Sequence, residues 1–285
     1  MIKIYCNANI YNGLAQGRYP KHLTDKLRIA KENGAISVFW IPTNLFELVQ
    51  GINTEDNFRT QQKAISEMAS LSDNKVLEDP KMHVQKAVCR YLGLKEPISD
   101  YYYHDIARNI RNAPSLDAIR INLIQWQEYL NYFYTKRWVP QTEKLKLELL
   151  KIHRGEYVTP GGEVITVDKF VGAVTEETLW PAITERFEIV SLVVGVPHSE
   201  IIPKVLPILF YYSVCIGYYR KLAEGGRKPV SSDFVDIEQV VYLDTIDFFV
   251  YEDAKFKEVL NRSLFPELNR KCLNLEDFIE VLERN

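Results

Sequence analysis

Apolar residues occur along this chain in two kinds of run. The first kind is short and nearly unbroken: residues 2–6 "IKIYC", 35–41 "AISVFWI", 246–250 "IDFFV", and a shorter one near "KCLNL" at 271–275. Short apolar runs of this length predict strands. The second kind follows helical spacing. "KHLTDKLRIAKENG" at 21–34 places Leu23, Leu27 and Ala30 on one face, with Gly34 as a stop. Helices are also predicted over 42–50 (ended by Gly51), 55–71, about 82–92, near 175, across 199–223, over 233–243, from 254, and over 276–283.

These elements predict an α/β protein. Strand–helix units open and close the chain, so about 1–75 and 200–285 are expected to form one mainly parallel sheet in a single domain. About 76–199 reads as a mostly helical insertion. Within it, "YYYHDIARNIRNAPSLDAIRINLIQWQEYLNYFYTKRW" at 101–138 is dense in aromatics at helical spacing and is expected to be mostly core, with Trp126, Tyr129 and Phe133 buried. "GEYVTPGGEVITV" at 155–167 predicts a small hairpin about Pro160-Gly161-Gly162.

One apolar stretch, "IIPKVLPILFYYSVCIGYY" at 201–219, needs testing as a membrane span. Its uncharged part, Val205 to Tyr219, is 15 residues long, short of the ~20 a spanning helix needs. It is expected to be a buried core helix, with no membrane partner and a cytoplasmic location. Composition changes this picture little. The 285 residues carry a net charge of −3, which gives no global attraction to nucleic acid. Such a partner would have to be held by local basic groups. Cys6, Cys89, Cys215 and Cys272 show no C-x-x-C spacing, so neither a zinc site nor a disulfide framework is expected.

Candidate chemistry falls where a parallel sheet places its ligands, just past the carboxyl ends of strands. Asn7 and Asn9 follow the first strand, and Tyr251-Glu252-Asp253 follows "IDFFV". Glu47 lies in the helix after "AISVFWI", and Asp233 and Asp236 open the helix leading into "IDFFV". Clustered carboxylates raise one another's pKa unless a cation neutralises them. An all-oxygen cluster of this kind suits Mg²⁺ or Mn²⁺ and hydrolysis of a phosphodiester.

Three blocks carry a resemblance to PIN-domain nucleases. "IYCNANIYNGL" at 4–14 is similar to the family's opening, where a strand ends in Asp-x-Asn. "IPTNLFELVQG" at 41–51 resembles the segment of its second acid, here Glu47. "SSDFVDIEQVVYLDTIDFFVYEDAKF" at 231–256 resembles its third block, mapping the remaining acids to Asp236 and Asp253 and an apolar position to Phe256. The resemblance implies a PIN-like three-layer domain and divalent-metal-dependent endoribonuclease activity. Glu47, Asp236 and Asp253 would be the metal ligands and Asn9 would position the loop. RNA would be the partner, and a toxin or defence effector the setting. A second copy or a regulatory protein would be further partners. Two positions depart from the family: Tyr251 replaces a Thr, and Asn7 stands where the first Asp is expected. That second departure, engineered or natural, implies a weakened or inactive enzyme. The rival from another class is a non-catalytic PIN-like binding or scaffold protein.

Each acid also has a structural reading. Asn44-x-x-Glu47 fits a capping arrangement. Asp233 fits an N-cap, Asp236 a first helical turn, and Asp253 a cap for the helix from Ala254. Arg18, Lys21 and His22 are the basic groups nearest the site, with Arg18 and Lys21 as candidates for substrate positioning along with Asp233. Lys136, Arg137 and Trp138 form a second basic and aromatic group.

Overall fold

The computed structural model describes residues 1–98, 102–134, 139–159, 161–225, 228–265 and 267–284. Strand β1 (Ile2–Cys6) leads into α1 (Ala8–Ala15) and α2 (Lys21–Glu32). Strand β2 (Ile36–Phe39) then leads into α3 (Pro42–Gln50), α4 (Glu55–Ser72) and α5 (Pro80–Leu92). The middle holds α6 (Tyr103–Asn112), α7 (Leu116–Tyr134), α8 (Val139–His153), α9 (Val167–Ala173) and α10 (Glu176–Arg186). After α11 (His198–Ile201), α12 (Leu206–Ala223) and α13 (Ser231–Glu238), a 3₁₀ segment (Gln239–Asp244) delivers strand β3 (Phe248–Val250). The chain closes with α14 (Ala254–Leu260), α15 (Leu268–Lys271), strand β4 (Cys272–Leu273) and α16 (Leu275–Arg284).

The four strands form one all-parallel sheet in the order β2-β1-β3-β4. The two chain ends therefore do share one sheet, and the fold is mixed α/β. Successive side chains feed different cores, as the period of two requires. Tyr5, Phe249, Tyr251 and Cys272 join one hydrophobic cluster, which α5, α8, α10 and α12 complete with Val84, Leu145, Ile183 and Ile208. Ile4, Cys6, Val38 and Val250 join the other, which α3, α4, α6 and α7 complete with Leu45, Phe58, Ile110 and Trp126. The middle helices thus contribute to both cores.

Several local expectations change. The stretch after β1 is a helix, α1, and Asn9 sits in its first turn rather than in a loop; Ile10, Tyr11 and Leu14 supply its buried face. The 199–223 helix is split, because Pro203 and Pro207 interrupt the hydrogen-bond ladder and Pro207 takes the second position of α12. Residues 239–244 tighten to 3₁₀ instead of continuing α13. The 155–167 hairpin is present, with an antiparallel bridge between Val158 and Val164; Pro160 lies outside the described residues. No helix among the described residues is long and apolar enough to cross a membrane.

Within the aromatic stretch Trp126 is 6% exposed and Tyr129 45%. Trp126 is a core residue, as expected, and Tyr129 is not. The side chain of Phe133 and residues 101 and 135–138, including Lys136, Arg137 and Trp138, lie outside the description.

Candidate functional site

In the strand order β2-β1-β3-β4 the chain leaves β1 toward one side and β3 lies on the other. The crevice beyond the carboxyl ends of β1 and β3 is the place where such sheets hold ligands. A cavity of about 220 Å³ lies there. It is lined by Asn7 and Asn9 after β1, Phe46 and Glu47 from α3, Val235 and Asp236 from α13, and Asp253 after β3. The four positions singled out from sequence, Asn7, Glu47, Asp236 and Asp253, therefore meet around one cavity from four separate segments.

Two of these segments use the same local device. In α3 the chain enters through extended Ile41, with Pro42 preset for the first turn. Asn44, the third helical residue, accepts from the Ile41 N–H at 2.9 Å and donates its amide to the Cys6 carbonyl at 3.1 Å. It ties the helix start to the end of β1. One turn on, Glu47 reaches the cavity. In α13, Asp233 is likewise the third residue. It accepts from the Val230 N–H at 3.0 Å and from the Tyr218 hydroxyl at 2.8 Å, which ties the helix to α12. One turn on is Asp236. The capping role proposed for Glu47 thus belongs to Asn44, and Asp233 is buried as a brace rather than set at the cavity. Phe46 and Val235, each one residue before an acid, line the cavity in matching register. They were not singled out from sequence, although the paired patterns "NLFE" and "DFVD" carry the signal.

The other two segments bring helix caps. Asn7 is buried and its Oδ1 caps α1, accepting from the Ile10 N–H at 3.3 Å, while its own N–H continues the sheet to the Val250 carbonyl at 2.9 Å. Asp253 caps α14 through the Lys255 N–H at 2.7 Å and the Phe256 N–H at 3.4 Å. Both the capping and the cavity-lining reading of Asp253 therefore hold at once. Asn9 is exposed, and its carbonyl accepts from the Arg18 guanidinium at 3.2 Å. Arg18 lines a neighbouring cavity, and Lys21 is exposed at the start of α2, away from the lining of both.

The electrostatics follow from this packing. Burial first, and the charge of Asp236 second, push the Glu47 carboxyl up to about 8. Glu47 makes no hydrogen bond or ion pair with any described residue. Below the cavity the Tyr5 ring stacks on Phe249, with centroids 4.4 Å apart, and its hydroxyl donates to Gln239. Burial raises the Tyr5 hydroxyl far above its ordinary range, with Tyr242 and then Glu47 and Asp236 adding to it. The Cys6 thiol at the strand end is pushed up to about 12 by burial, which leaves it protonated and a poor nucleophile near neutral pH.

The donor set is therefore oxygen-rich, with two electrostatically coupled carboxylates. Glu47 in particular is poised to exchange its proton for a cation, so the chemistry fits a hard divalent ion. The geometry is less complete. Among the described residues no three His, Cys, Asp or Glu side chains stand together as a metal-holding group. Position 7 supplies an amide, and one oxygen of Asp253 is spent on its helix. Comparison with known proteins adds no relative: no family model, curated protein or solved structure matches this chain.

Proposed function

We propose that the cavity is the active site of a PIN-like, divalent-metal-dependent endoribonuclease, weakened by Asn at position 7. One observation carries this reading. Asn7, Glu47, Asp236 and Asp253 come from four distant parts of the chain, yet they line one cavity at the crevice between β1 and β3. A packing requirement alone does not gather acids in this way, since coupled carboxylates repel. Glu47, Asp236 and Asp253 would hold Mg²⁺ or Mn²⁺, and position 7 is the place of a further ligand. The bound metal would activate a water for attack and stabilise the departing oxygen. At about 220 Å³ the cavity is below the ~300–1,000 Å³ of typical ligand pockets. It has room for an ion and a phosphate group, and the rest of a polynucleotide would lie outside it.

Asn7→Asp tests the proposal. Asp caps a helix about as well as Asn, so the variant keeps the local fold and adds only charge. Cleavage of single-stranded RNA that depends on Mg²⁺ or Mn²⁺, stops with chelator and falls on a second change, Asp236→Asn, is expected of it. The Asp form should also melt lower than the Asn form without metal and recover with it. Equal inactivity of both forms, with no metal-dependent rise in melting temperature, refutes the enzyme reading. It would leave the second reading, a binding or scaffold protein. That reading has its own support in the cap made by the Asn7 amide.

A further inference from the structure

A second cavity, of about 460 Å³, opens beside the first. The two are joined through adjacent residues. Glu252 lines one and Asp253 the other; Arg18 lines one, and its guanidinium is bonded to the carbonyl of Asn9, which lines the other. The volume falls within the range that takes a nucleotide-sized ligand.

Its wall is fixed. The Tyr19 ring packs so closely over Gly13 that a Cβ there would overlap it. The Glu252 carboxylate lies within electrostatic reach of the Arg18 guanidinium, the Tyr19 hydroxyl and the Leu275 N–H at the start of α16. Asn274, the residue before α16, accepts from the Asp277 N–H at 2.7 Å. Asn274 Oδ1 is thus committed to the scaffold, and Glu252 faces Arg18 and Tyr19. Among the polar lining groups Arg18, His22 and Glu276 keep capacity for a ligand. Arg18 has five N–H donors and uses one on Asn9. Glu276 makes no hydrogen bond or ion pair with any described residue. Pro20 and Leu23 add apolar lining.

A carboxylate only accepts and a guanidinium only donates, so a ligand that satisfies both needs a donor edge and an acceptor edge. Among the bases, guanine has this pair most fully. Its N1–H and N2–H form a two-pronged donor edge, and O6 and N7 form the acceptor pair that Arg reads in bidentate fashion. Unpaired bases in RNA leave both edges open to a protein.

We infer that the second cavity is a guanine-nucleotide subsite, in which Glu276 takes the N1–H and N2–H donors and Arg18 the O6 and N7 acceptors. Its placement as the holder of a base beside the scissile phosphate rests on the nuclease reading above. The binding chemistry does not need metal, so the two can be tested apart. The experiment is calorimetric titration of the full chain, in EDTA, with 5′-GMP, AMP, CMP and UMP, and with the pentamers UUGUU and UUUUU. GMP is expected to bind at least about tenfold more tightly than the other three. The pentamers should show a similar ratio if the base is held as part of RNA, whereas a preference confined to GMP overturns the RNA-subsite assignment. Glu276→Gln and Arg18→Lys, which keep size and charge respectively but lose the fitted bonds, should each cut the preference about tenfold. Equal affinity for all four nucleotides, or a preference that neither variant changes, overturns the inference. If Asn7→Asp cleaves RNA while no guanine preference appears, the subsite fails and the nuclease stands. If guanine binds and no cleavage appears, the subsite's base recognition stands and the nuclease fails.

Discussion

Glu47→Gln isolates the energetic cost of the acidic cavity. In the folded protein burial and the charge of Asp236 lift the Glu47 carboxyl from its ordinary 4.5 to about 8. Between those values the unfolded chain has lost a proton that the folded chain retains. Unfolding is therefore favoured as pH rises, and the penalty is complete above about 8. At about 1.4 kcal/mol per pH unit this sets a ceiling of about 5 kcal/mol. Because the carboxyl faces a cavity that solvent enters, about half that, roughly 2–3 kcal/mol, is the expected size. Gln has the same shape and no proton to lose. Urea unfolding of both proteins at pH 4, 6, 7.5 and 9 should give curves that agree near pH 4. They should separate steadily, with the Gln variant more stable by roughly 2–3 kcal/mol at pH 9. Parallel curves would show that Glu47 titrates like a surface carboxylate, and the account of a desolvated, coupled pair would be wrong.

Other predictions address the supports of the site. Gly217→Ala puts a Cβ 2.8 Å from the Ser263 nitrogen and in overlap with the Val259 carbonyl; a loss of about 3 kcal/mol in urea unfolding is expected, and an unchanged midpoint would mean that α14 seats differently on α12. Asp233→Ala removes two hydrogen bonds and leaves the Tyr218 hydroxyl buried, costing roughly 2–4 kcal/mol; a matching loss of RNA affinity at saturating protein stability would return Asp233 to the substrate. Arg186→Met strands the Glu238 carboxylate with which Arg186 forms a buried ion pair, at a cost of about 3–5 kcal/mol, and adding Glu238→Met should recover most of it in the same assay.

What the sequence made legible depended on how local each signal was. The strands were read from short, mostly apolar runs set between helical patterns. The four cavity positions were read from their place after strands and within the first two turns of helices. Helix α1 was obscured by Asn9, Asn12 and Gly13, which look like loop residues until Asn7 is seen to cap them. The break before α12 was written in Pro203 and Pro207, but the apolar run across them read as continuous. The braces were the least legible. Whether an acid near a helix start turns to its own backbone, as Asp233 does, or to a cavity, as Asp236 does, depends on Tyr218, a partner from another helix. The same is true of Tyr129, whose helical spacing matches Trp126 but whose position faces solvent.

The cap at Asn7 has a consequence for how this chain can change over generations. A residue that both closes a helix and borders a cavity is restricted by folding to the few side chains that cap well, and Asn and Asp are near equals among them. Either letter closes the helix about equally well, yet the exchange changes the charge of the cavity by a full unit. Where a divalent ion offsets the added charge, the position behaves as a neutral passage in sequence space. A lineage can cross it in either direction without a compensating substitution elsewhere, and the rest of the scaffold stays intact for a return.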